Sequence, residues 1–166
     1  MGGEIAVASK LGVGSRFWFE LPLPVSAATP VSASAPPARA NRRELRILVA
    51  EDSVVSQRVV TALLSKMGHT VTLASNGKAA VDAVDSGETP FDLILMDCQM
   101  PEMDGYAATR EIRQREARGG LTPVPIIALT AHAMPSDRDR CLEAGMDGYL
   151  TKPVDPERLY AEIGRW

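Results

Sequence analysis

No stretch of the chain is apolar for the roughly 18–20 residues that a membrane-crossing helix needs, so this segment is expected to make no membrane contact. Cysteine is nearly missing. Cys98 and Cys141 stand alone, with neither a metal-ligand spacing nor the dense pattern of a disulfide framework. They read as two reduced thiols of a cytoplasmic protein. The opening Met1-Gly2-Gly3-Glu4 lacks the basic-then-apolar layout of a secretory leader, and Ala6 stands where a myristoylation signal prefers Ser or Thr. A basic stripe is absent as well. Residues 1–44 carry a small excess of basic side chains and residues 45–166 an excess of acidic ones, which together make the formal net charge of −3. An acidic domain is a poor electrostatic match for nucleic acid, so none is expected as a partner.

What is present suits a packed core: 45% of residues are apolar and 23% charged, ordinary globular values. Composition divides the chain into three segments. In residues 1–24, Ile5 and Val7 alternate with polar or small residues, as do Phe17, Phe19 and Leu21, around the glycine-bearing Lys10–Ser15. That pattern predicts a β-hairpin, which by itself is marginal in water and needs a larger sheet to join. Residues 25–44 are rich in Ala, Ser and Pro, have no periodic apolar face, and read as a linker.

From Leu45 onward, short apolar strands alternate with amphipathic helices. Arg46–Ala50 suits a strand buried on both faces. Val55, Val59, Ala62, Leu63 and Met67 then recur at helical spacing, with Gly68 placed to end the helix. Val71 and Leu73 mark a second strand, and Asn76 caps a helix burying Ala80, Val81 and Val84 that stops near Gly87. Phe91–Met96 is a third strand, followed by a helix from about Gly105 to Arg118. Pro125–Leu129 is a fourth, with a helix over about Ser136–Ala144 stopped by Gly145. Gly148–Leu150 is a short fifth strand, and Asp155-Pro156 starts a last helix. Five such repeats imply an α/β, doubly wound fold with a parallel sheet.

Ligands in such folds gather beyond the carboxyl ends of the strands. The residues there are Glu51 and Asp52 after the first strand, Asp97 after the third, Thr130 after the fourth and Lys152 after the fifth. Taken singly, each has a plain explanation. Glu51 and Asp52 fit acids at a helix start, Asp97 a loop acid, Thr130 a turn residue, and Lys152 a solvated charge. Taken jointly, three carboxylates repel unless a cation neutralises them or their pKa values rise. An oxygen-only site suits Mg2+, and a lysine and a hydroxyl add donors for an anion on that metal. The set resembles a cradle for a phosphoryl group, in which a central carboxylate could itself attack phosphorus.

The motifs Ile47-Leu48-Val49-Ala50-Glu51-Asp52, Leu95-Met96-Asp97-Cys98-Gln99-Met100-Pro101-Glu102-Met103-Asp104-Gly105, Ile127-Ala128-Leu129-Thr130-Ala131 and Gly148-Tyr149-Leu150-Thr151-Lys152-Pro153 resemble, in order and spacing, a response-regulator receiver domain. The resemblance covers residues 45–166 and implies a flavodoxin-like five-stranded sheet of order 2-1-3-4-5 with helices on both faces. It implies Asp97 as phosphoacceptor and Mg2+ (or Mn2+) held by Asp52 and Asp97 directly, by Glu51 through water and by the backbone carbonyl of Gln99. It further implies Lys152 pairing with the phosphoryl oxygens across a cis bond to Pro153, Thr130 as a hydrogen-bond donor that moves on activation, and Tyr149 as the aromatic that turns inward with it. Gln99 and His132 occupy positions that influence dephosphorylation in that family. His132 is not expected to be a phosphohistidine, because donor histidines sit on a helical bundle that this chain lacks, and His69 reads as a turn residue.

The first 24 residues carry a second resemblance. Gly2–Ser9 and Gly12–Pro22 look like the final hairpin of a histidine-kinase ATP-binding domain, without that family's asparagine box, earlier glycine boxes or histidine helix. The chain is therefore expected to be the C-terminal piece of a hybrid sensor kinase, a remnant, a linker and a receiver, and not a complete kinase. The expected function is phosphorelay from a histidine kinase or a histidine-phosphotransfer protein, with the chain a monomer or weak dimer. Two alternatives stand beside it. An aspartyl-phosphate phosphatase commonly has a second Asp where this chain has Gln99. An interaction-only receiver typically loses an acid or the lysine. No helix-turn-helix is readable, which counts against a transcription factor.

Overall fold

The computed structural model describes residues 3–20, 22, 43–86, 90–131 and 135–166. The chain divides into two compact units, Met1–Arg42 and Arg43–Trp166. In the first, β1 (Glu4–Lys10) and β2 (Gly14–Glu20) form an antiparallel hairpin. Pairing Ile5 with Phe19 and Val7 with Phe17 puts four large apolar side chains on one face, and all four are exposed. The turn uses left-handed glycines, Gly12 at φ 79° and Gly14 at φ 124°. Of the expected linker, only residues 43 and 44 lie among those described, and the expected stop at Gly87 and the position of His132 lie outside them.

The second unit alternates strand and helix: β3 (Arg46–Ala50), α1 (Val54–Met67), β4 (Thr70–Ala74), α2 (Gly77–Asp85), β5 (Leu93–Asp97), α3 (Gly105–Gly119), β6 (Ile126–Thr130), α4 (Pro135–Ala144), β7 (Gly148–Thr151) and α5 (Pro156–Ile163). The five strands are parallel in the order β4-β3-β5-β6-β7, the expected 2-1-3-4-5 arrangement. Strand alternation divides the core into two layers. Leu48, Ile94, Met96, Ile126 and Ala128 point to one face and meet Ala80 and Val81 of α2, Ala108 and Ile112 of α3, and Cys141 and Ala144 of α4. Ile47, Val49, Leu93, Leu95, Ile127 and Leu129 point to the other and meet Val60 and Leu64 of α1 and Leu159 and Ile163 of α5.

Helix ends follow local chemistry. Ser53, Asn76, Asp104 and Asp155 each accept a backbone N–H from three residues on, and Gly68 closes α1 in the left-handed conformation. One expectation is corrected. The buried stripe of α1 is Val60 and Leu64 with Leu63 and Met67 beside it, whereas Val55, Val59 and Ala62 face solvent. Apolar spacing defines a helix, but several overlapping stripes satisfied it here, and only contact with the sheet selects one. The third and fourth strands also run on to include Asp97 and Thr130, because the ladders continue to the pairs Asp97–Leu129 and Thr130–Thr151.

Candidate functional site

At the carboxyl edge of the sheet, β3 delivers Glu51 and Asp52, β5 ends on Asp97, β6 ends on Thr130, and Lys152 follows β7. Parallel register carries these groups to one place. One ligand oxygen from each of Glu51, Asp52 and Asp97 lies within 4.8 Å of the others. Lys152 Nζ sits 2.7 Å from both Glu51 Oε2 and Asp97 Oδ2. Glu51, Asp97 and Thr130 are buried, and Asp52 is exposed at the mouth.

The loops are held by short bonds. Gln57 Nε2 of α1 donates to the Glu51 carbonyl at 2.6 Å, and the Ser53 amide donates to Glu51 Oε1 at 3.2 Å. The Gln99 amide donates to Asp97 Oδ1 at 3.1 Å, so the backbone beyond the strand curls back over the carboxylate. Gly105, the first residue of α3, lies against the Asp97 backbone, where any Cβ would collide with the Asp97 carbonyl. Its amide donates to the Cys98 carbonyl at 3.2 Å. On the opposite flank the Lys152 amide donates to the Thr130 carbonyl at 2.7 Å, and the Lys152–Pro153 bond is cis. Tyr149, on β7, is about two-fifths exposed and turned outward.

Charge is unbalanced here. Burial raises the Glu51 carboxyl above its ordinary range, and the nearby Asp97 adds to that, although the Lys152 ammonium opposes it. Burial alone would lower the Lys152 pKa, but its hydrogen bonds and attraction to Asp97 and Glu51 outweigh this and leave it raised. Three carboxylates facing one ammonium retain excess negative charge. All the side-chain donors to a cation are hard oxygens, so the residues fit Mg2+, whose preference is for carboxylate and water oxygens.

Beside the acids, Cys98 packs against Cys141 of α4 and Tyr106 of α3. Burial pushes the Cys98 thiol up to about 12. The Arg140 guanidinium lies 4.6 Å from the centroid of the Tyr106 ring, a cation–π contact.

Residues 47–164 match the family described as response regulator receiver domain. The chain belongs to that family. Among relatives of the receiver, histidine kinase 1 of Arabidopsis thaliana is 45% identical over 150 residues, covering 72% of this chain and 12% of the relative. This chain thus spans a small fraction of that relative's length. Two solved structures resemble it closely. The receiver domain of a sensor histidine kinase from Pseudomonas aeruginosa, with a magnesium ion coordinated in its active-site cleft, is 45% identical at a TM-score of 0.66, covering 75% of this chain and 98% of that one. A chain of the Saccharomyces cerevisiae co-crystal of the histidine phosphotransfer protein Ypd1 with the receiver domain of Ssk1 is 35% identical at a TM-score of 0.70, covering 74% and 88%.

The strand-end rule brought together Glu51, Asp52, Asp97 and Lys152 in this receiver, and places Thr130 at the same sheet edge. It did not reveal Gln57, whose role as a loop tie has no local signature beyond a polar residue one turn into a helix. Nor did it reveal that His69 is buried, accepting the Leu45 amide on Nδ1 at 3.2 Å. Among the described residues no helix is long and apolar enough to cross a membrane.

Proposed function

We propose that Asp97 accepts a phosphoryl group from a phosphohistidine on a partner and then passes it on or loses it to water. The observation that carries this reading is the meeting of Glu51, Asp52 and Asp97 within 4.8 Å, with Lys152 Nζ 2.7 Å from Asp97. Glu51, Asp52, Asp97 and the Gln99 backbone carbonyl would hold Mg2+. When bound, that ion supplies charge neutralisation and orients the transferring phosphoryl oxygens.

An Asp97 oxygen attacks phosphorus, the phosphorus–nitrogen bond breaks, and the departing imidazole keeps the electron pair. Lys152 follows the incoming charge and leaves Glu51 for the phosphoryl oxygens. Thr130 donates its hydroxyl to the same group, and Tyr149 turns inward as Thr130 moves; one new charge thereby biases a two-state element. Gln99 and His132 tune the lifetime of the acyl phosphate. The outward Tyr149 fits the resting form of such a switch.

The partner is a histidine kinase or a histidine-phosphotransfer protein. Val54, Val55 and Arg58 of α1 are exposed next to the acids and form the docking surface. In the same reading residues 1–24 are a remnant of a kinase ATP-binding domain, residues 25–44 a linker, and the parent a hybrid histidine kinase with this part in the cytoplasm. Similarity to histidine kinases and to a receiver crystallised with a phosphotransfer protein supports it.

Intact-mass measurement after incubation with Mg2+ and a small phosphodonor tests the chemistry. Wild type should gain one phosphoryl group, and the gain should vanish with EDTA or in Asp97→Ala. A folded wild type that gains nothing points instead to an interaction-only receiver, and an adduct surviving in Asp97→Ala names a different acceptor.

A further inference from the structure

Cys98 Sγ and Cys141 Sγ lie 3.9 Å apart, in van der Waals contact and about 1.9 Å beyond a disulfide bond length. Both side chains are buried, and neither takes part in the phosphoryl chemistry described above. Their positions are unequal. Cys98 follows Asp97 directly and is pinned by its amide to the Leu129 carbonyl at 3.0 Å. Cys141 lies on α4, the helix that follows β6 and Thr130. A second contact, Arg140 over Tyr106, clips the same helix to α3.

Each cysteine also borders an open cavity. Cys98 lines one of about 420 Å³ together with Asp52, Gln99, Tyr106 and Arg140, and Cys141 lines one of about 170 Å³ with Arg138 and Leu142. Both residues are nearly closed to solvent, Cys98 at 3% and Cys141 at 1%, so a small oxidant reaches their sulfurs only through local opening beside these cavities.

We propose that Cys98 and Cys141 are an oxidisable dithiol, and that its disulfide ties α4 to the residue beside the phosphoacceptor. With a peroxide as oxidant, one thiol sulfur attacks a peroxide oxygen, the O–O bond breaks, and a sulfenic acid and water form. The second thiol sulfur attacks the sulfenic sulfur, the S–S bond forms, the S–O bond breaks, and a second water leaves. Two thiols and one hydrogen peroxide become one disulfide and two waters. The tie holds α4 against β5 and opposes displacement of α4. This consequence for phosphorylation, unlike the dithiol itself, rests on the function proposed above.

The test treats the full chain with hydrogen peroxide under native conditions and reads intact mass, non-reducing peptide maps, amide exchange and phosphoryl uptake. The expected result is a monomer lighter by two hydrogens, with a Cys98–Cys141 cross-linked peptide absent from Cys98→Ala and from Cys141→Ser. Exchange in α4 should slow several-fold, reversibly with dithiothreitol, and phosphoryl uptake should fall relative to the reduced protein. Oxygen additions without the cross-link, dimers only, or no reaction under conditions that oxidise the unfolded chain would overturn the dithiol. A cross-link with unchanged α4 exchange and unchanged uptake would overturn the tie. No uptake even in the reduced protein would count against the phosphoryl reading and leave the mass result standing.

Discussion

Two clusters of charge, each partly buried, sit at opposite ends of the same sheet, and they are built on different terms. At the amino end of β6, Arg113 of α3 donates to Glu116 at 2.7 Å, to Asp147 at 2.8 Å and to the Gly145 carbonyl at 2.9 Å. The carboxylates are finished by backbone: the Val124 amide donates to Glu116 and the Ile126 amide to Asp147, both at 2.8 Å. At the carboxyl end, Glu51 and Asp97 share the Lys152 ammonium, and Asp52 brings a third carboxylate within 4.8 Å of both. The first cluster is satisfied by the protein itself and ties α3, β6 and the approach to β7 together. The second retains negative charge that Lys152 does not balance, which a bound cation or a proton on the raised Glu51 carboxyl would offset. Satisfaction marks structure, and its deficit marks chemistry.

Removing the cation from each cluster should separate these roles. Lys152→Ala is expected to lower phosphoryl uptake by about 100-fold, the usual scale for losing one electrostatic contact to a transition state, as read by the time course of the mass adduct. Arg113→Ala strands the buried Glu116 and should cost about 3 kcal/mol of stability, measured by urea unfolding, with little effect on uptake in protein that remains folded. Equal effects on uptake from both variants would dissolve the distinction.

A smaller effect tests how tightly α3 presses on β5. Gly105→Ala forces a methyl group into the Asp97 carbonyl and should cost about 1–3 kcal/mol through backbone displacement. Mg2+ affinity, followed by titration calorimetry, should weaken in parallel.

The smallest expected effect concerns pH in metal-free protein. Because the folded Glu51 carboxyl is raised above 4.5, mainly by burial, the folded state holds its proton more strongly than the unfolded chain. Stability from that proton is present below pH 4.5 and is lost as pH rises through the folded value. Lys152 behaves separately: raised above 10.5 by Asp97 and Glu51 against the pull of burial, it contributes stability that is fully present below 10.5 and lost only above it. Unfolding midpoints in EDTA should therefore decline for wild type above pH 4.5 and be flatter for Glu51→Gln. Saturating Mg2+ should remove the wild-type decline. A wild-type curve that rises over that window would show Glu51 to be net stabilised as an anion.

The two polypeptide units sharpen the same lesson. The hairpin satisfies its backbone ladder yet leaves Ile5, Val7, Phe17 and Phe19 in solvent, whereas each strand from β3 to β6 of the receiver packs apolar side chains into a layered core. Alternation made the hairpin legible as strands and short apolar runs did so for the receiver, but neither pattern says whether a covering layer is present.

By itself the sequence determined the order of elements, the caps at Asn76 and Asp155, and the identity of Glu51, Asp52, Asp97, Thr130 and Lys152 as strand-end residues. Those are local matters of period, turn chemistry and chain position. Only the tertiary structure decided which stripe of α1 is buried, that Gln57 ties the acidic loop, that His69 is inside, and that Cys98 meets Cys141 at a sequence separation of 43. Such contacts are set by how helices rotate and seat on the sheet. That choice depends on the fit of whole surfaces, which no short window of residues contains.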